Sequence, residues 1–94
     1  MKIYKTNLNG VFKIKLEPFT DFRGKYLELF NKSLFKKINK GIRFVQDDIS
    51  ISKKNVLRGI HGDNKTSKLI TCLYGKFVLV VINNDKTSKQ YRKH

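Results

Sequence analysis

The chain has 94 residues, of which 39% are hydrophobic and 12% aromatic, and this composition predicts one globular domain, residues 1–94, rather than a disordered chain. Its formal net charge is +14, but 17 lysines and four arginines are spread along the whole sequence, so the charge indicates no particular anionic partner. One cysteine excludes an intramolecular disulfide, and the longest apolar run, FVLVVI, is too short to span a bilayer. Because the N-terminus also lacks a signal-peptide pattern, we expect a cytoplasmic protein without a membrane partner.

The first third of the chain predicts short strands. Apolar and polar residues alternate in KIYKT and in GVFKIKLE, as in strands with one solvent-exposed face. In FTDFRGKYLELF, Asp21 and Gly24 are typical turn residues, after which the alternation resumes.

One segment, NKSLFKKINKG, predicts a helix. Asn31 is a good N-cap, Gly41 is a good terminator, and the apolar residues between them lie on one helical face: Leu34, Phe35 and Ile38.

The second half predicts further strands. IRFVQDDISISK and VLRGIH are expected to be extended, and KLITCLYGKFVLVVIN predicts a hairpin with Gly75–Lys76 as its turn, so that Tyr74 faces Phe77. Cys72 is expected to be a small buried residue. About six or seven strands with one small helix are typical of an all-β jelly roll. The chain stops soon after its most apolar strand, so we expect the C-terminal strands of the roll to be missing.

The segment NVLRGIHGDNKTSKLI carries a candidate base, His61, between Gly59 and Gly62. Histidine titrates near neutrality and glycines leave room for a ligand, which favours a general base; the alternative is a structural histidine with hydrogen-bonded ring nitrogens. If the strands at 56–60 and 68–74 lie close, Lys68 reaches the space beside His61 and stabilises an oxyanion; the alternative is a solvated lysine. No metal is expected because the only other histidine is the terminal residue.

Several other polar residues are candidates for substrate binding. Arg23 and Arg58 each precede a glycine, and a guanidinium beside open backbone suits bidentate phosphate binding. Other polar residues occur among the strand segments, where the alternative for each is a turn cap or an outward-facing side chain: Glu28, Gln46, Asp47 and Asp48. Together these residues indicate a cavity for an anionic substrate that carries a carbonyl.

Four motifs resemble, in order and in register from about residue 5 to residue 91, the dTDP-4-dehydrorhamnose 3,5-epimerase family: FTDFRGKYLELF, FVQDDISIS, NVLRGIHGD and KLITCLYGKFVLVVIN. The resemblance implies a cupin-type jelly roll (a double-stranded β-helix) that works as a homodimer without metal or organic cofactor. The implied substrate is a nucleoside-diphosphate 4-keto sugar, inverted at carbons flanking the ketone. The RGIHGD form is similar to members that act on bacterial surface-polysaccharide sugars.

The resemblance also implies a role for each matching residue. His61 falls on the family's base and Lys68 on the lysine that stabilises the enolate oxygen. The positions that bind nucleotide or sugar are Arg23, Glu28, Gln46 and Arg58, of which the first two would serve a neighbouring subunit's site.

The chain departs from the family pattern at several places. The family's Gln-Asp-Asn reads Gln46, Asp47, Asp48, and this added negative charge is expected to affect which nucleotide or sugar is accepted. The family's tyrosine acid, and the acidic residue that orients the histidine, lie in a C-terminal part without a counterpart here, and Tyr91 does not belong to that motif. Three alternatives to an active epimerase therefore stay open: an inactive remnant that binds nucleotide sugar or a full-length partner, a ketoisomerase of the same barrel family, and a basic nucleic-acid-binding domain. Specific nucleic-acid binding is not expected.

Overall fold

A computed structural model of the chain describes residues 1–38 and 41–94. It contains four short strands and one helix: β1 (Lys2–Lys5), β2 (Phe12–Lys15), β3 (Phe19–Asp21), β4 (Gly24–Tyr26) and α1 (Lys32–Phe35). The strands form two antiparallel pairs, β1 with β2 and β3 with β4. The chain divides into two compact units, which we call unit 1 (Met1–Phe30 with Thr71–His94) and unit 2 (Asn31–Ile70). No helix in the described part of the chain is long and apolar enough to cross a membrane.

Strands β1 and β2 confirm the alternating pattern read from the sequence. Ile3 lies opposite Ile14, and both are half-buried, while the lysines of the two strands point to solvent. This is the arrangement expected of a ribbon that covers apolar groups on one face only.

The pair β3–β4 confirms the turn predicted at Asp21 and Gly24. These two residues are partners in the ladder, so Phe22 and Arg23 form the two-residue loop between them. The Asp21 carboxylate accepts the backbone N–H of Arg23 at 2.9 Å, and Gly24 has a φ of +124°, which an L-residue with a side chain rarely adopts.

In unit 1, the polar C-terminal segment is joined to the turn between β1 and β2 by one side chain. Gln90 accepts the N–H of Asn9 through Oε1 at 2.7 Å and donates through Nε2 to the carbonyl of Asn7 at 2.8 Å. Leu8, between those two residues, is only 6% exposed and is the buried apolar side chain of unit 1 among the described residues.

Removing the Gln90 amide is therefore expected to destabilise unit 1. Gln90→Ala should lower the free energy of unfolding by about 1 kcal/mol, since two neutral hydrogen bonds at a partly exposed site are lost. Gln46→Ala is the matched control, because within the described residues the Gln46 side chain bonds to Asp48 alone, two residues away. Urea unfolding of both variants checks this, and equal midpoints would contradict it.

Helix α1 begins as predicted and ends earlier than predicted. The Asn31 side chain accepts the N–H of Leu34 at 3.1 Å, which confirms the N-cap. The helix ends at Phe35, so the prediction that Gly41 terminates it is wrong, and the predicted residues 39–40 lie outside the described residues. A helix needs packing to extend beyond one turn, and in this helix only Phe35 is buried, with its ring edge-to-face on Phe44 at 5.7 Å.

The strands predicted after Tyr26 are absent from the described residues, so the predicted number of strands is wrong. Gly75 has the positive φ, +76°, that its predicted turn requires, but the segments on either side form no ladder. Tyr74 is 99% exposed and Val78 90% exposed, and Cys72 is exposed rather than buried as predicted. A strand is stable only when its backbone groups and its apolar face have partners, and within the described residues these segments have no ladder partner and little cover at Tyr74 and Val78. What the structure does confirm is a mostly non-helical chain with small antiparallel sheets.

Candidate functional site

The imidazole of His61 is exposed in unit 2. Among the described residues, none forms a hydrogen bond or an ion pair with this ring. Both ring nitrogens are therefore available to a ligand, which a structural histidine with hydrogen-bonded nitrogens would not offer.

The two glycines beside His61 have different surroundings. Gly59 has a φ of +107°, and a Cβ on it would lie 3.2 Å from the backbone N of His61 and 3.2 Å from its Nδ1. A Cβ on Gly62 would meet nothing within 4 Å. Gly59 is thus the glycine that the position of the ring requires, and Gly62 leaves open space on the other side.

Arg58 is held by the segment that precedes it. The chain reverses at Lys54 and Asn55, and Asn55 takes a φ of 64°, which asparagine tolerates better than most residues. Through this turn Arg58 donates its Nε–H to Ser52 Oγ at 2.9 Å and an Nη2–H to the Ile51 carbonyl at 3.4 Å. One edge of the guanidinium is therefore fixed.

Lys68 lies at the end of a loop organised by Asp63. Its Nζ is 4.0 Å from Asp63 Oδ2. The Asp63 carboxylate also accepts the backbone N–H groups of Lys65 and Thr66 and the Thr66 hydroxyl, at 2.8, 2.7 and 2.6 Å. The pKa of the Asp63 carboxyl is lowered by these interactions. The hydrogen bond from the Thr66 hydroxyl contributes most, followed by the two N–H groups and the charge of Lys68. No contact joins Lys68 to His61 within the described residues.

The three polar residues at 46–48 are exposed in unit 2. Gln46 donates its Nε2–H to Asp48 Oδ2 at 2.9 Å. Asp48, at which the sequence departs from the pattern it resembles, is thus in contact with the glutamine of the same motif.

Arg23 and Glu28 belong to unit 1 and are both exposed. The Arg23 guanidinium forms an ion pair with Asp21 at 2.6 Å and lies over the Phe22 ring, 5.7 Å from its centroid. It lines an open cleft of about 290 Å³ on the β3–β4 hairpin, together with Tyr26 and others. A phosphate at this arginine must therefore share it with Asp21.

The hydrogen bonds from the Arg23 side chain, followed by its backbone N–H, lower the pKa of Asp21. Because the folded-state pKa lies below the unfolded one, the pair stabilises the hairpin above about pH 4 and this contribution is lost as the pH falls through the folded pKa. Arg23→Ala is expected to raise the Asp21 pKa toward its usual value, while Lys25→Ala, on the next strand, should leave it lowered. Carboxyl ¹³C titration by NMR measures both, and an unchanged Asp21 pKa in Arg23→Ala would contradict the assignment.

In the described ranges, 1–38 and 41–94, no three His, Cys, Asp or Glu side chains are grouped so as to hold a metal ion. The side chains that carry the candidate chemistry of unit 2 are instead one imidazole, one ammonium and one guanidinium. Ser52 and Asp63, which hold two of these groups, have no counterpart among the residues predicted from the sequence.

The sequence profile of the family described as dTDP-4-dehydrorhamnose 3,5-epimerase matches residues 5–94. This chain is a member of that family. The segments that hold His61, Lys68 and both candidate arginines all lie within the match. The predicted resemblance is therefore confirmed.

Curated relatives are named as dTDP-4-dehydrorhamnose 3,5-epimerases or as a 3-epimerase. The dTDP-4-dehydrorhamnose 3,5-epimerase of Methanothermobacter thermautotrophicus is 36% identical over 92 residues. The match covers 96% of this chain and 50% of the length of that relative. That of Salmonella typhimurium is 37% identical over 95 residues, covering 97% of this chain and 52% of its own. A dTDP-4-dehydrorhamnose 3-epimerase of Streptomyces niveus is 30% identical over 87 residues, covering 88% of this chain and 42% of its own. This family member thus spans about half the length of the curated relatives it matches, and no solved structure matches it significantly.

Proposed function

We propose that this chain removes a proton from a carbon next to the C4 ketone of a nucleoside-diphosphate 4-keto sugar, as the base-carrying part of an isomerase of the 3,5-epimerase type. Membership of the family over residues 5–94 carries the proposal. The relatives' name indicates C3, C5 or both as the reacting carbons. The sugar would belong to bacterial surface-polysaccharide synthesis, in the cytoplasm.

His61 is the proposed base. The ketone acidifies the neighbouring C–H, and an exposed imidazole that no described residue hydrogen-bonds can accept that proton. Electron density then moves from the C–H bond to the ketone oxygen, which becomes an enolate. Lys68 is the proposed stabiliser of that oxygen, because its side chain is 53% exposed and its ammonium, 4.0 Å from Asp63 Oδ2, keeps donors for a substrate.

The remaining polar residues are proposed to bind substrate. Arg58, with one guanidinium edge fixed by Ser52, offers its other edge to the diphosphate. Arg23 and Glu28 are proposed to reach a neighbouring subunit's site in a homodimer. The motif that contains the changed position, Asp48, is proposed to select the nucleotide or sugar. Its residues are Gln46, Asp47 and Asp48.

We also propose that residues 1–94 belong to one cupin-type jelly-roll domain. Support comes from apolar side chains that are almost fully exposed in the described structure, such as Tyr74 and Val78. Strands that pair with this segment would bury them, as the inner faces of a double-sheet roll require.

The test is deuterium incorporation. The purified chain is incubated in D₂O with a dTDP-linked 4-keto-6-deoxy sugar, and the sugar protons are followed by NMR. We expect loss of the C3 or C5 proton signal, and none from dTDP-glucose, which binds through the same diphosphate but lacks the ketone. Equal exchange in the two sugars, or no exchange by a chain with a dispersed amide spectrum, would contradict the proposal.

A second candidate is an inactive family member that binds nucleotide sugar or a full-length partner. The observation that favours it is that the chain spans about half the length of its relatives. It predicts saturable binding of the dTDP-sugar without isotope exchange, so the same samples distinguish the two candidates.

A further inference from the structure

We propose that Asp63 is a positioning residue for Lys68, and this inference rests on the proposed function of Lys68 at the enolate oxygen. Asp63 follows the candidate base by two residues and precedes the candidate cation by five. Among the described residues, Asp63 supplies the carboxylate that forms an ion pair with Lys68.

The Asp63 carboxylate is fixed by its own loop. Oδ1 accepts the N–H groups of Lys65 and Thr66, and Oδ2 accepts the Thr66 hydroxyl. With three hydrogen bonds from residues two and three positions ahead, the carboxylate has little freedom to turn, although it is partly exposed. It therefore presents a negative charge at a defined place in the loop.

Lys68 is attracted to that charge but is not hydrogen-bonded to it. A separation of 4.0 Å between Nζ and Oδ2 is too long for a hydrogen bond and short enough for electrostatic attraction. The ammonium is thus kept near the loop while its N–H donors stay available to an oxygen of the substrate. In a chain with a formal charge of +14, this carboxylate also offsets the repulsion that Lys68 experiences from other cations.

Asp85 provides the comparison for a carboxylate that only caps a turn. Its Oδ1 accepts the N–H and the hydroxyl of Thr87, at 2.9 and 2.6 Å. No Lys or Arg in the described structure forms an ion pair with it. Asp85→Asn therefore removes the same charge from a similar turn, without a cation beside it.

The experiment is a double-mutant cycle on the rate of deuterium exchange. Asp63→Asn keeps an oxygen for the two N–H groups and removes the charge, and we expect it to lower kcat for exchange by about fivefold with KM unchanged. In a Lys68→Met background, Asp63→Asn should have no further effect, and Asp85→Asn should have none in either background. An equal loss from Asp63→Asn with and without Lys68 would overturn the proposal, as would an equal loss from Asp85→Asn.

A second measurement keeps the proposal separate from the proposed function. The Lys68 ¹³Cε resonance, assigned by its absence in Lys68→Met, is compared among the chain, Asp63→Asn and Asp85→Asn without substrate. We expect a shift in Asp63→Asn alone. If the chain exchanges no deuterium, the proposed function fails while this shift still tests the positioning; an unchanged resonance in Asp63→Asn would overturn the positioning itself.

Discussion

Gly59→Ala is expected to slow deuterium exchange into the 4-keto sugar about 100-fold, whereas Gly62→Ala should leave the rate within about twofold. A Cβ at position 59 would lie 3.2 Å from the Nδ1 of His61, closer than side chains normally approach. The φ of +107° adds backbone strain that only glycine avoids. The contact alone makes the ring give by a few tenths of an ångström, and relief of the strained φ also moves the backbone that carries it. A combined displacement that reaches about 1 Å at a reacting group costs on the order of 100-fold in rate.

Gly62 makes this comparison informative, because it flanks the same histidine and a Cβ there would have open space. Both variants are checked for a dispersed amide spectrum before the rates are measured by NMR in D₂O. Equal rates for the two alanine variants would show that the surroundings of Gly59 do not determine where the base lies.

Lys68→Met is expected to lower kcat for exchange by about 100- to 1,000-fold and to change KM little, the usual loss when one oxyanion donor is removed. Methionine keeps most of the length of the side chain and removes the ammonium. The charge on the enolate oxygen appears only as the proton leaves, so its stabilisation affects kcat more than substrate binding.

Lys65→Met is the matched control for Lys68. Lys65 lies in the same loop, and its contact with Asp63 is through the backbone N–H, which the substitution retains. It should exchange deuterium at the rate of the unaltered chain. A loss of similar size in both variants would indicate that general positive charge, rather than Lys68, supports the reaction.

The parts of the fold that follow from local interactions could be predicted from the sequence. The Asp21 carboxylate closes its turn onto Arg23, and Asn31 caps the helix through Leu34, both within three residues. The strand character of β1 and β2 follows from alternation, which places Ile3 and Ile14 among the half-buried residues. Such features need no information beyond the neighbouring residues.

The parts that depend on distant partners could not be predicted. The segment around Val78 has the composition of a buried strand and yet is 90% exposed, because a ladder needs a second strand and the described residues supply none. For the same reason Cys72 is exposed although its neighbours are apolar.

The candidate site also has a part that could be predicted from the sequence and a part that could not. His61 and Lys68 were found through motifs, which record residue type and spacing. The supports of the site depend on how loops turn: Ser52 reaches Arg58 because Asn55 reverses the chain, and Asp63 reaches Lys68 because Thr66 folds back on its carboxylate. A sequence pattern contains no direct signal for either contact.

The most direct test of the account is the rate of deuterium incorporation at C3 and C5 by the chain and by its His61→Asn variant, measured by NMR on the same 4-keto sugar. Asparagine has similar polarity and cannot act as a base near neutral pH, so we expect a loss of at least about 100-fold in the variant, while binding of the dTDP-sugar is retained. Equal exchange by the chain and the variant would contradict the assignment of His61 as the base.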